Sequence, residues 1–193
     1  MYPTDLRDRL AATLEPDPAP ELPPDTRFAG VLLPLVASSR PSLIFTRRSE
    51  HLSRHAGEIS FPGGLQHEED ASLEATALRE TEEELGIPPS AVDVIGALAP
   101  VHTFVSGILI VPFVGVLSER PVLSPNAAEI AEVLEYTLEE LAAAEGVVEF
   151  PRDGHVYRGF AYEMGANIIW GATAKILHEM LDRSRAARST ELA

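Results

Sequence analysis

Four of the five residues from 80 to 84 are glutamate. On a helix, Glu80 and Glu84 stand four apart and Glu80 and Glu83 three apart, so their carboxylates share one face. Like charges at these spacings cost a few tenths of a kcal/mol per pair. The run also falls in a last helical turn, because Gly86 and Pro88-Pro89 stop the helix just after Leu85. The helix dipole disfavours anions at that end. Two local rules broken at one place mark a candidate functional site. A divalent cation would reverse the sign of both effects, since Mg²⁺ takes carboxylate oxygens, keeps several waters and completes its shell with substrate phosphates. An isolated acidic run is more often a solvated helix face. Here Arg79 sits one turn before Glu83 and can pair with it, and Gly63-Gly64 lies upstream. Two glycines permit close backbone approach, so a carbonyl there is a candidate metal ligand and an N–H a candidate phosphate donor. Alone, the pair would read as a turn.

The elements that must position these groups follow from the rest of the chain. Its 193 residues suit one domain with a sizeable core, and 45% hydrophobic content is an ordinary globular composition. Thirty acidic against 15 basic residues give a net charge of −15, which disfavours nucleic acid and anionic membranes as partners. An anionic substrate would then need a cation to mediate its capture. The absence of cysteine excludes disulfides, a thiolate nucleophile and thiolate metal sites. No apolar run approaches the ~20 residues of a membrane span. The longest, Ile108–Leu117, is interrupted by Pro112 and Gly115, and residues 1–14 lack a signal-peptide core. A soluble cytoplasmic protein is the expectation, monomer or homodimer.

Hydrophobic periodicity predicts a short helix over 5–14 with Leu6, Leu10 and Leu14 on one face, then a proline-rich strap through Pro24. Strands are expected over 28–37 and 43–47, followed by a loop from Ser49 to Gly64. The clearest helix spans 71–85, with Asp70 as its N-cap. Strands near 92–98, 107–117 and 130–135 precede a short helix over 138–144 after Thr137. A hairpin over 147–150 and 155–162 turns at Asp153-Gly154, and a last helix runs from Asn167 to about Arg188. Phe104, Phe113 and Trp170 are expected in the core. His51, His55 and His67 read as surface or loop histidines, and His102 is a weaker candidate base by its position between strands. The pattern is α/β, a mixed sheet with helices on both faces.

With these residues in place, the chain resembles the Nudix hydrolases, whose box reads G-x5-E-x7-R-E-U-x-E-E-x-G-U with U aliphatic. Gly64 opens the box and Arg79-Glu80-Thr81-Glu82-Glu83-Glu84-Leu85-Gly86-Ile87 forms its second half. Asp70 stands where the first Glu belongs, eight residues rather than seven separate it from Arg79, and Thr81 takes an aliphatic position. Glu68 and Glu69 are alternatives for the loop carboxylate. Ile44-Phe45-Thr46-Arg47-Arg48-Ser49 with Gly57-Glu58-Ile59-Ser60-Phe61-Pro62-Gly63-Gly64 is similar to the signature preceding the box in the coenzyme A pyrophosphatase-like subgroup. Asn126-Ala127-Ala128-Glu129-Ile130 and Ile169-Trp170-Gly171-Ala172-Thr173-Ala174 are similar to it as well.

The resemblance implies an α/β/α sandwich over residues 28–193, with 1–27 as helix and strap. It implies hydrolysis of the diphosphate bond of coenzyme A (CoA) or a CoA derivative, with Mg²⁺ or Mn²⁺ held by Glu80, Glu83 and Glu84 and the Gly63 carbonyl as a further ligand. Arg79 would orient Glu83, and Glu80 or Glu129 would act as general base. Arg47, Arg48 and Arg54 are candidate phosphate binders, because guanidinium grips phosphate through two hydrogen bonds, and Gly64 lies beside them. ADP-ribose, NADH, a dinucleoside polyphosphate or a nucleoside triphosphate remain alternative substrates. A nucleotide-binding module without catalysis is a third reading, and a purely structural acidic domain a fourth.

Overall fold

The architecture was analysed in a computed structural model that describes residues 4–16, 26–52, 55–103, 107–152 and 155–189. In chain order the elements are α1 (Thr4–Ala11), β1 (Arg27–Val36), β2 (Ser42–Arg48), β3 (Ile59–Ser60), β4 (Gly63–Leu65) and α2 (Leu73–Leu85). After a 3-10 turn at Pro89–Ala91 come β5 (Asp93–Ala97), β6 (Val101–His102), β7 (Ile108–Leu117) and β8 (Ile130–Thr137). The chain closes with α3 (Leu138–Ala143), β9 (Glu145–Arg152), β10 (His155–Met164), β11 (Asn167–Ile169) and α4 (Gly171–Ser189).

A mixed eight-stranded sheet runs β3-β2-β1-β7-β5, with β4 added to β1, β6 to β7 and β8 to β2. The β1–β7 ladder is parallel along its full length, from Arg27↔Ile108 to Val36↔Leu117. The other ladders are antiparallel, and β11-β10-β9 form a second sheet. Period-two alternation along β1 and β7 divides the core. Leu32, Val111 and Phe113 pack under α2 with Ala77, while Leu33, Leu35, Val114 and Val116 face the larger cluster that includes Leu10, Tyr162, Leu177 and Met180. Helix α2 thus covers one face, and α1 and α4 lie on the other. The expected α/β/α arrangement with a mixed sheet is present. Among the described residues no helix is long and apolar enough to cross a membrane.

Several boundaries differ from expectation for identifiable reasons. The first helix ends at Ala11, and the chain beyond it forms a bridge from Glu15 to Ala97. The strap proper, 17–25, lies outside the described residues, as does the Asp153-Gly154 turn. The expected loop over 49–64 contains β3 and the start of β4, because Gly63-Gly64-Leu65 adds to β1. The cap of α2 is Ser72, whose Oγ accepts from Ala75 N at 3.1 Å, not Asp70. Thr137 caps α3 in a capping box with Glu140. Residues 167–169 form a strand rather than the first turn of the last helix. Phe113 is buried as expected and Phe104 lies outside the described residues, but Trp170 is 41% exposed, at the end of that short strand.

Helix α2 lies very close to β1. An ideal Cβ at Gly30 would sit 2.2 Å from the Leu73 carbonyl oxygen and 3.0 Å from Ala77 N. Both are backbone atoms that cannot rotate away. Gly30→Ala is therefore expected to destabilise the protein by about 1–3 kcal/mol or more, seen as a lower urea midpoint at unchanged slope.

Candidate active site

The N-terminal half of the site is built by the Phe61-Pro62-Gly63-Gly64 segment. Phe61 is buried and stacks on Phe45 of β2, with ring centroids 4.6 Å apart. That anchor fixes the chain as it joins β1, where Leu32 N donates to the Pro62 carbonyl and Gly64 pairs with Gly30. Helix α2 crosses directly above. A Cβ at Gly64 would lie 2.5 Å from Glu80 Oε1, so the Glu80 carboxylate rests on the bare glycine backbone.

Arg79 organises the acidic face. Its Nε and Nη2 grip the two Asp70 oxygens at 2.9 and 3.0 Å. Nη1 reaches Glu80 Oε1 at 2.9 Å and Glu83 Oε2 at 3.1 Å, and Nη2 also donates to the Leu65 carbonyl at 3.3 Å. All five donors of the guanidinium have acceptors. Asp70 also accepts from Thr76 Oγ1 and from the His67 N–H. The Arg79 hydrogen bonds, reinforced by those two donors, hold Asp70 well below the usual carboxylate range. The Arg79 guanidinium is stabilised in turn, chiefly by Asp70. Asp70 is therefore the loop carboxylate that pairs with Arg79, despite its short side chain. Arg79 does contact Glu83, but Asp70 is its principal partner. Thr81, at the aliphatic position, is buried with its Oγ1 donating to the Ala77 carbonyl at 2.7 Å, so it leaves no unsatisfied hydroxyl.

Glu84 is the most unusual group. It is only 3% exposed, and its Oε2 has no hydrogen-bond partner. Arg48 Nη1 lies 3.8 Å from Oε1, and Arg48 Nε is buried and likewise unpartnered. Burial pushes the Glu84 carboxyl up to about 8; the Arg48 cation and the Gly63 N–H oppose this, while Glu80 and Glu129 add to it. Burial also raises Glu80, against Arg79. Glu83 remains mostly exposed.

The end of α2 is closed by a distant loop. Ser124 N donates to the Leu85 carbonyl at 2.9 Å and Asn126 N to the Glu84 carbonyl at 3.0 Å. This loop carries Glu129, half-buried, whose main-chain carbonyl accepts from Ser49 N at 2.7 Å. The structure thus brings Glu80, Glu83, Glu84, Arg79, Gly63, Gly64, Arg48 and Glu129 into one region.

Arg47 is directed elsewhere. Alternation along β2 sends Arg48 to the α2 face and Arg47 to the other, and the register slips between them. Arg47 bonds Glu132 at 3.0 Å and Asn167 of β11 at 2.5 Å, and Asn167 donates onward to Tyr136. It ties the small sheet to the large one. Arg54 lies outside the described residues. His51, His55, His67 and His102 are exposed, and His55 pairs with Glu58. Sequence reasoning missed Thr76 and the joint role of Ser124 and Asn126. The long gap before Arg79 was a signal for the first; the stretch from Asn126 to Ile130 stood out in the sequence, but its contacts to α2 did not.

The donors at the acidic face are all hard oxygens, and the orphaned Glu84 oxygen is an atom that a divalent cation would satisfy. Among the described residues no three acidic or imidazole groups converge into a finished metal cage. Mg²⁺ retaining waters and completing its shell with phosphate oxygens does not need one. The residues fit such an ion.

Two predictions follow from the electrostatics. Asp70 has a depressed folded-state pKa, so its pairing stabilises the protein above about pH 4 and is lost in more acidic solution. Asp70→Asn should lower the melting temperature most near neutrality, with the gap to wild type closing on acidification. Glu84 has the opposite sign. Without metal, folding favours its protonated form, so stability falls as pH rises from about 4.3 to about 8. Glu84→Gln in chelator should remove that portion of the fall and raise the melting temperature at pH 8.

Comparison with known proteins agrees with this geometry. Residues 26–155 match the NUDIX domain. The chain is 40% identical over 179 residues to an uncharacterized Nudix hydrolase NudL of Photorhabdus laumondii, covering 92% of this chain and 95% of the relative. It is 37% identical over 168 residues to an uncharacterized Nudix hydrolase NudL of Pectobacterium atrosepticum, covering 83% and 87%. Among solved structures, a NUDIX hydrolase from Alicyclobacillus acidocaldarius shares the fold at a TM-score of 0.56 and 16% identity, over 86% of this chain and 96% of that one. The matched region contains the glycine loop, α2 and the strands beneath them, and the chain is a member of the Nudix hydrolase family.

Proposed function

We propose that this protein hydrolyses the diphosphate bond of CoA or a CoA derivative, giving 3′,5′-ADP and 4′-phosphopantetheine. The observation that carries the reading is the buried Glu84 carboxylate, with a free oxygen, set between Glu80, Glu129 and the Arg48 guanidinium. CoA is favoured among nucleoside diphosphate derivatives by the 44–64 segment. Its two ends supply Arg48 and the Gly63-Gly64 step on either side of that carboxylate.

Glu80, Glu83 and Glu84, with the Gly63 carbonyl, would hold Mg²⁺ or Mn²⁺. When bound, the metal lowers the pKa of water and neutralises charge on the diphosphate. Arg79 keeps Glu80 and Glu83 turned toward each other against their mutual repulsion. The Arg48 guanidinium, beside Glu84, supplies a cation for a phosphate oxygen. Glu129, or Glu80, takes a proton from the attacking water as its oxygen bonds to phosphorus. The bridging P–O bond breaks, and the leaving phosphate departs with the electron pair. Arg47, held by Glu132 and Asn167, is assigned to tethering the two sheets rather than to phosphate.

The test is incubation of purified protein with CoA and with ADP-ribose, each with Mg²⁺, Mn²⁺ or chelator, and separation of products by anion exchange. The expected outcome is metal-dependent 3′,5′-ADP formation, faster than ADP-ribose turnover and reduced by about two orders of magnitude in Glu84→Gln. Cleavage of ADP-ribose but not CoA would retain the acidic helix's role and overturn the CoA assignment.

A further inference from the structure

We infer that Asn126 is a positioning residue that aims the Glu129 carboxylate at the acidic end of α2. Every polar atom of Asn126 has a partner. Its N–H donates to the Glu84 carbonyl at 3.0 Å, and its carbonyl accepts from Glu129 N at 3.0 Å and Ile130 N at 2.8 Å. Its Oδ1 accepts from Ala128 N at 3.2 Å, closing a local turn, and its Nδ2 donates to Glu129 Oε1 at 3.2 Å. The same residue therefore bonds both the helix that carries Glu84 and the Glu129 side chain, whose charge acts on Glu84. Glu129 has no ordinary route to such a position. It is half-buried on a loop, and the Glu84 carboxylate, whose charge it feels, would turn it toward solvent. The Asn126 amide supplies the opposing donor, and the Ser49 N–H on the Glu129 carbonyl fixes the backbone behind it.

The chemistry at this position is specific. Aspartate at 126 has the same shape and keeps an oxygen for Ala128 N, but it replaces the donor toward Glu129 with a second carboxylate oxygen. It should preserve the loop and lose the aim. Ser124 and the main chain of residue 126 would still cap α2.

The role of Asn126 in turnover rests on the reading of Glu129 as general base, so two measurements separate the claims. The first is a crystal structure of Asn126→Asp, which needs no substrate. The expected result is a Glu129 carboxylate displaced from its present place, with the Ser124–Leu85 and 126–Glu84 main-chain bonds retained. An unmoved carboxylate, or a loop that has left α2, overturns the positioning role. The second is kinetics on whichever of CoA and ADP-ribose the wild type turns over. Asn126→Asp should lower kcat about 10- to 100-fold, with KM within about twofold and an unchanged melting temperature. In a Glu129→Gln background the same substitution should cost less than about twofold, because the two act through one group. Additive losses, or full activity in Glu129→Gln, would overturn the link to turnover. Failure to cleave CoA would overturn the substrate assignment without touching Asn126.

Discussion

Helix α2 carries five glutamates and one cation, Arg79. Everything at the site depends on how that cation is shared. Its five donors reach Asp70, Glu80, Glu83 and the Leu65 carbonyl, and so join the loop that enters the helix to the acidic face that leaves it. The sharing leaves Glu84 out. Glu84 is on the buried side of the helix, where Arg48 arrives from β2 at a distance too long for a good hydrogen bond. The result is a graded set of carboxylates along thirteen residues. One is exposed and paired, one is half-buried and paired, and one is deeply buried with an oxygen free. Differences of environment, more than of residue type, give these identical side chains different chemistry.

The glycines set the distances over which this electrostatics operates. Gly30 lets α2 approach β1, and Gly64 lets Glu80 rest against the strand-forming loop. Phe61 secures that loop from the core side through Phe45. The site is thus a product of close packing as much as of charge. The apolar stripe of α2 is narrow, with Thr76, Ala77, Thr81 and Leu85 buried along with Glu84. Small residues and internally satisfied threonines make that narrow stripe sufficient.

Much of this was legible in the sequence. Glutamates at helical spacing, a stop at Gly86 and a glycine pair upstream marked the candidate region, and the fold brings those residues together. What the sequence concealed was of two kinds. Asp70 looked like a helix cap, because aspartate before an apolar run usually is one; in the structure Ser72 caps the helix, and Asp70 is drawn to Arg79. Arg47 and Arg48 looked like a pair because they are adjacent, but strand pleating puts them on opposite faces, one bridging the sheets and one facing Glu84. The stretch from Asn126 to Ile130 stood out in the sequence, but the contacts of Asn126 were hidden for a different reason. Its importance lies in contacts to a helix more than forty positions earlier, and no local pattern records such a contact. The long strands were found and the short ones β3, β4, β6 and β11 were not, since a pairing such as that of Gly63–Leu65 with β1 is a tertiary event.

The capping of α2 by residues 124 and 126 also bears on how the molecule comes into being. The acidic helix leaves the ribosome well before the loop that closes its end and before β7, the strand that lies parallel to β1. Until that strand has docked, the face under α2 lacks Val111 and Phe113, and the last helical carbonyls have only water. Parallel pairing between distant segments is slow to form. A growing chain therefore displays its most charged helix as a hydrated, loosely held segment, and Glu84 becomes buried only when the second half of the domain has folded over it. Formation of the candidate site is in this way a late event, coupled to completion of the sheet.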